Sequence, residues 1–268
     1  MTSKELYELI ELPAEVIEIF TEYASTDPYR VSEEIKSLYL TRETSQSGLE
    51  RLQAILGDDP LGHKLLWTLL EIARESWDKY EEKGIDIGVF KETMKFITRF
   101  LHTHHDQHGT YHFIWGWWFF RQLALEEFRI GCLEYELMFD NGEKVISLHI
   151  PSDADLSPES VDKSFSEFKD FLKRFYPDWT DARWLCDSWL LSPALKHLLP
   201  EDSNIISFQN RFDAVFVNDE YMGVLDWVFP THRQIDNDMP ENTSLQKNMK
   251  AWLLAGNKVG WTRGFIKD

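Results

Sequence analysis

The sequence predicts an α+β protein, with an all-helical domain over residues 1–125 followed by an α/β domain over residues 126–268 whose sheet is mixed and largely antiparallel. Three observations predict this. Apolar residues recur at helical spacing from Pro13 to His108, and after Arg129 the period changes to two. Asn141-Gly142 then separates two alternating runs, as a tight hairpin requires. A chain of 268 residues also exceeds the usual single domain of roughly 100–150 residues, so two units are expected.

In the first part, Asp27-Pro28, the run Gly57-Asp58-Asp59-Pro60 and Gly84 punctuate the helical pattern. Asp59 is placed as an N-cap with Pro60 at the first helical position. The helix then presents Leu61, Leu65, Leu69, Ile72, Trp77 and Tyr80 on one side and stops at Gly84. A second stripe, Val89, Phe90, Met94, Ile97 and Leu101, reads as another core-facing helix. Trp115, Trp117, Trp118, Phe119 and Phe120 are expected to pack the helical half onto the sheet.

In the second part, Leu133, Tyr135, Leu137 and Phe139 alternate with Cys132, Glu134, Glu136 and Met138, and a return strand runs from Lys144 to Ile150. Ser157-Pro158-Glu159 opens a helix with the stripe Val161, Phe165, Phe168, Leu172 and Phe175, closed by Pro177. Further strands are expected at 184–191, 213–217 and 258–266, with a short helix from Ser192-Pro193 to Leu199. Thr243 and Gln246 have capping-box spacing for a helix through Met249 and Trp252 that ends at Gly256.

Charge narrows the function classes. A formal net charge of −18 repels a phosphate backbone, and no long Lys/Arg run is present, so nucleic acid is excluded as the expected partner. No stretch approaches the ~20 apolar residues of a membrane span, and the first residues carry Glu5, Glu8 and Glu11 instead of the basic and apolar regions of a leader. Cys132 and Cys186 sit in apolar segments and read as buried thiols, so a reducing cytoplasm is the expected compartment.

The order hairpin, long helix, strand, short helix, strand, helix, strand is close to the later two-thirds of the GNAT acyltransferase fold. The segments 128–136 (FRIGCLEYE), 149–156 (HIPSDADL), 186–193 (CDSWLLSP) and 242–246 (NTSLQ) resemble a bacterial acyltransferase-like family. That family joins a helical N-terminal domain to a GNAT-like C-terminal domain, and the resemblance covers nearly the whole chain. It implies that acetyl-coenzyme A or another acyl-coenzyme A hangs from strand 144–150, with its pyrophosphate facing the N-terminus of helix 158–176. GNAT proteins place a glycine-rich loop at this junction. Here residues 149–159 contain no glycine and carry Asp153, Asp155 and Glu159.

His149 ends an apolar strand beside Ser152 and Asp153, where open α/β sheets bind ligands, and a near-neutral imidazole suits a general base for an attacking amine. Asp187 and Trp189 share one face of the strand 184–191 and Ser188 takes the other. His149 and Asp187 are therefore the expected proton-handling pair, with Ser152, Asp153, Ser188 and Trp189 as ligand-binding residues. The leading expectation is an acyltransferase for a small-molecule or peptide amine. A non-catalytic binding module that has lost the pyrophosphate loop is the alternative. His104, His108 and His112 stand four residues apart, but Gly109 interrupts the helical register before His112 and no His-Glu-x-x-His occurs, so no metal site is expected.

Overall fold

The computed structural model describes residues 1–25, 31–220 and 222–267. Internal contacts divide the chain into two compact units, Met1–Arg129 and Ile130–Asp268. The expected break at Asp27-Pro28 lies outside the described residues.

The first unit is helical: α1 (Ser3–Leu9), α2 (Ala14–Ser25), α3 (Glu33–Tyr39), α4 (Ser45–Leu56), α5 (His63–Lys83), α6 (Ile87–Met94), α7 (Phe96–His108) and α8 (Gly116–Leu123). Two expectations are corrected. The helix placed from Asp59 begins at His63, because residues 60–62 form a turn ending at Gly62 with φ 67°. Asp59 still caps it from outside, accepting from the Lys64 and Leu65 amides at 3.1 and 2.9 Å. The second stripe is split at Lys95 into α6 and α7, since both helices can use the same apolar face on either side of a tight turn. Gly84 ends α5 in the left-handed region, as expected.

Buried hydroxyls tie these helices together. Tyr39 donates to the Gly116 carbonyl (2.6 Å), Tyr80 to that of Gln122 (3.0 Å) and Thr98 to that of Ile10 (2.6 Å), so each of these three hydroxyls keeps a partner away from water. In the aromatic stretch, Phe119 stacks on Phe96 and Phe120 meets Tyr39 edge-on, so both serve the core of the helical unit itself. Beyond α7, Gly109 takes φ 71° and reverses the chain, which puts the His112 ring 5.0 Å from that of His104.

The second unit contains β2 (Leu133–Asp140), β3 (Glu143–His149), α9 (Pro158–Phe175), β4 (Arg183–Ser188), α10 (Leu195–Leu198), α11 (Asn204–Gln209), β5 (Phe212–Asn218), α12 (Val224–Val228), α13 (Ser244–Leu254) and β6 (Trp261–Ile266). A short strand, β1 (Glu127–Ile130), straddles the unit boundary, and the sheet order is β1-β2-β3-β4-β6-β5. The sheet is mixed, as expected: β3 and β4 run parallel, whereas β2–β3, β4–β6 and β6–β5 are antiparallel. Asn141 and Gly142 form the hairpin turn with φ 51° and 86°.

A parallel pair needs a crossover, and α9 supplies it. Tyr135 stacks on Phe168 of α9 with ring centroids 3.8 Å apart, and Trp184 of β4 meets both edge-on. A separate apolar cluster joins Leu195, Val224, Phe229, Met249, Leu253 and Val259. Thr243 caps α13 by accepting from the Gln246 amide (3.1 Å), as its spacing predicts. Cys186 is buried, which pushes its thiol pKa up and leaves it inert. Cys132 lies in the turn before β2 and not in a strand. Among the described residues no helix is long and apolar enough to cross a membrane.

Two predictions follow from the packing of the helical unit. A Cβ on Gly48 would lie 2.5 Å from the Tyr39 amide nitrogen, so α4 can cross the end of α3 only as glycine. Gly48→Ala should cost ~1–3 kcal/mol in urea denaturation, although alanine is the better helix former. An unchanged midpoint would remove the close approach. The second concerns His112, whose pKa is lowered from 6.5 by burial, then by His104, His63 and His108, with Asp59 opposing. A folded pKa below the unfolded one favours the neutral ring, so its contribution is complete above pH 6.5 and is lost as pH falls through the folded value. Replacing His112 with Gln should flatten the fall in melting temperature below that pH.

Candidate active site

The site begins where the parallel ladder stops. β3 and β4 pair from Val145↔Arg183 to Leu148↔Cys186. Beyond that, His149 pairs only toward β2, opposite Glu134, while Asp187 and Ser188 pair only toward β6, opposite Arg263 and Thr262. The paired stretch of the two central strands therefore stops at Leu148 and Cys186, near their carboxyl ends, the position at which open α/β sheets receive ligands.

Register puts Glu134, Glu136, Ser147 and His149 on one face of the hairpin, because directly paired residues share a face and alternate residues repeat it. Glu136 is 3% exposed. Its Oε2 lies 2.8 Å from Nε2 of His149, whose side chain is 20% exposed. An ionised carboxylate has only acceptor capacity, so this contact places a proton on Nε2 and leaves the lone pair on Nδ1 when the ring is neutral. A histidine oriented by a buried acid and reachable from solvent is the arrangement of an oriented general base.

Asp187, expected as the partner of His149, has another role. Both of its oxygens accept from Arg263 of β6, Oδ1 from Nε at 2.9 Å and Oδ2 from Nη2 at 2.7 Å, and Arg263 Nη1 also donates to Asp140 (3.1 Å). The bidentate geometry ties β4 to β6 across their ladder. Nothing in the alternation of 184–191 distinguishes a proton carrier from half of an ion pair, and the cation stands 76 positions away.

The expected strand 184–191 ends at Ser188. Ser188 Oγ accepts from the Leu190 amide (3.1 Å), and this turns Trp189–Leu191 into one 3-10 turn. Trp189 consequently packs against the apolar cluster of the C-terminal helices and not beside Asp187 on a strand face. Ser152 and Asp153 are exposed in the turn from Pro151 to Ala154, closed by the Ala154 amide donating to the Pro151 carbonyl (3.0 Å). The structure thus brings Glu136 to His149, leaves Ser152 and Asp153 on the chain just beyond His149, and assigns Ser188 and Trp189 to the turn after β4.

Sequence reasoning missed Glu136, because strict alternation placed it on a polar face. The signal was present in the pair of acids Glu134 and Glu136 within one strand whose start lies opposite a histidine. Glu134 is likewise buried, at 6% exposure.

The loop into α9 is also unlike a bare-backbone phosphate cradle. Asp155 occupies the helix start with its own carboxylate, Oδ1 accepting from the Ser157 amide (2.9 Å) and Oδ2 from the hydroxyls of Ser157 and Ser160. Those bonds hold its pKa below the usual carboxylate value.

Comparison with known proteins agrees with this two-part organisation. Residues 1–125 match the N-acyltransferase N-terminal domain and residues 122–266 the GNAT-like C-terminal domain. A crystallised acyltransferase mutant in complex with octanoyl-CoA is 22% identical, with a TM-score of 0.78 over 99% of this chain and 87% of that one. An acyltransferase in complex with decanoyl-CoA and teicoplanin is 22% identical, with a TM-score of 0.72 over 100% of this chain and 99% of that one. Another, with CoA and 10C-teicoplanin, is 22% identical at a TM-score of 0.71 and the same coverage. No curated protein matches the chain. With a parallel pair, a crossover helix between its strands and a domain match over 122–266, the chain belongs to the acyltransferase family defined by the GNAT-like C-terminal domain.

Proposed function

We propose that the protein is an acyl-coenzyme A-dependent N-acyltransferase acting on an amine of a small molecule or peptide. The observation that carries this reading is the end of the β3–β4 ladder at Leu148 and Cys186, with His149 next in line. The amide-bearing pantetheine arm of an acyl donor has the chemistry to continue a strand ladder beyond that point. Support comes from the family match and from similar folds crystallised with octanoyl-CoA, decanoyl-CoA and CoA. The teicoplanin complexes among them favour an acceptor of small-molecule or glycopeptide type.

The donor supplies an activated thioester. The amine attacks the thioester carbonyl carbon, the carbon–sulfur bond breaks, and the departing thiolate must gain a proton while the nitrogen loses one. His149 takes the proton from nitrogen, and Glu136 holds the ring and stabilises the imidazolium that forms. Asp187 and Arg263 hold β4 against β6, so that the cleft keeps its far wall. Ser152 and Asp153 stand at the mouth and meet the incoming substrate.

One observation favours the alternative of a non-catalytic binding module: Asp155 already fills hydrogen-bonding positions at the start of α9. Donor binding separates the two readings. Acetyl-CoA or a longer acyl-CoA at one hundred times its dissociation constant should stabilise the fold by about 2.7 kcal/mol. Absence of any thermal shift with either donor would leave the binding-module reading.

For the chemistry, His149→Ala should lower kcat by ~10²–10⁴ without weakening donor binding. Glu136→Gln should also lower kcat and move the acid limb of the kcat/KM profile against pH. Unchanged turnover in both variants would remove the base. Asp187→Asn should instead cost ~1–3 kcal/mol of stability while folded protein keeps its kcat. A folded but inactive Asp187→Asn enzyme would return Asp187 to the proton path.

A further inference from the structure

We propose that the histidine corner of the helical unit is a binding site for a divalent transition metal of the imidazole-preferring class, zinc above all, with His104, His108 and His112 as its protein ligands. The site is independent of the acyl-transfer reading.

The backbone explains how the three come together. His104 and His108 are one helical turn apart on α7 and share a face. Gly109 then reverses the chain, and the returning segment is fastened at three points. The Phe113 amide donates to the Leu61 carbonyl (3.0 Å), His63 Nε2 bonds the Tyr111 carbonyl (2.7 Å), and His104 Nδ1 bonds the Thr110 carbonyl (2.6 Å). The sequence pattern treats Gly109 as an interruption. In three dimensions it is the residue that folds His112 back onto the helix.

Two of the three ring spacings, both from His104, are those of a shared ion. Two imidazoles on one tetrahedral metal at about 2.0–2.1 Å have centroids about 5 Å apart. The His104 ring lies 4.6 Å from that of His108 and 5.0 Å from that of His112. A carbonyl can only accept, so the bond to Thr110 fixes the proton of His104 on Nδ1 and leaves the Nε2 lone pair for a metal. A metal-bound histidine is oriented by the same kind of backbone contact. As the rings stand, their donor atoms do not yet all lie within 4.8 Å of one another, so binding requires them to turn. His108 is exposed on the last turn of α7, and His104 and His112 are only half-buried, which leaves an entry path and a fourth position for water.

The test uses the full chain, free of any affinity tag and dialysed against chelator, titrated with Co²⁺ and followed by its visible absorption, with Zn²⁺ in competition. One equivalent of Co²⁺ should give the intense bands of a tetrahedral site, and Zn²⁺ should abolish them. His104→Ala and His108→Ala should each weaken binding at least tenfold, whereas His102→Ala, which removes a histidine outside the set, should leave it within about twofold. His108 is exposed, so its loss tests the ligand without disturbing the core, and an unchanged circular dichroism spectrum verifies this. Absence of saturable tetrahedral bands, or equal affinity in the wild type and both ligand variants, would overturn the site.

Discussion

The parallel pairing of β3 with β4 is the constraint on which the second unit depends. Parallel neighbours cannot be joined by a tight turn, so the chain must leave the sheet, run through α9 and return. That crossover buries Tyr135, Phe168 and Trp184 against one another on one face. The opposite face of β2 is covered as well, and residues 133–137 are all buried, including Glu134 and Glu136. An ionised carboxylate in such a place is costly unless hydrogen-bonded to a donor, and His149 supplies one at 2.8 Å. The orientation of the proposed base is thus a consequence of the β2–β3 register, which sets Glu136 diagonal to His149.

Where a local chemical rule decides the backbone, the sequence was legible. Asn141-Gly142 supplies two positive φ values to the hairpin, Pro158 opens α9, Thr243 caps α13 and Gly84 ends α5. Failures fall where two local rules compete. Asp59 has the chemistry of a cap and Pro60 that of a first helical residue, yet Gly62 resets the start and Asp59 reaches the helix from three residues farther back. At Lys95 the apolar period runs unbroken through a turn, because periodicity records which side faces the core and not whether the helix is continuous.

The site was legible in part for the same reason. His149 could be placed at a strand end from the pattern alone, but its partner depends on register across the hairpin, which pairs Glu136 with Ser147 and sets it diagonal to His149. Asp187 was read as an acid needing a reason to sit in a covered sheet. The reason is Arg263, brought alongside by the antiparallel pairing of β4 with β6. Pairings of this kind rest on contacts far apart in sequence, and a period of two in one strand does not contain them.

The same logic bears on how a donor can be held. In a glycine-rich junction, bare amides at a helix start recognise pyrophosphate by geometry as well as by charge. In this protein Asp155 has taken part of that geometry for itself, with the Ser157 amide and two serine hydroxyls as donors. The cation at this corner is Arg211, whose guanidinium bonds Asp162 and the Pro158 carbonyl on the first turns of α9. A phosphate arriving here meets a side-chain charge already shared with a carboxylate, an attraction that falls with salt. Under the proposed function, recognition of the donor rests also on the parts that lie along β3 and β4, the amide arm and the acyl chain beyond it. In such an enzyme, discrimination among donors comes from cleft shape more than from the nucleotide.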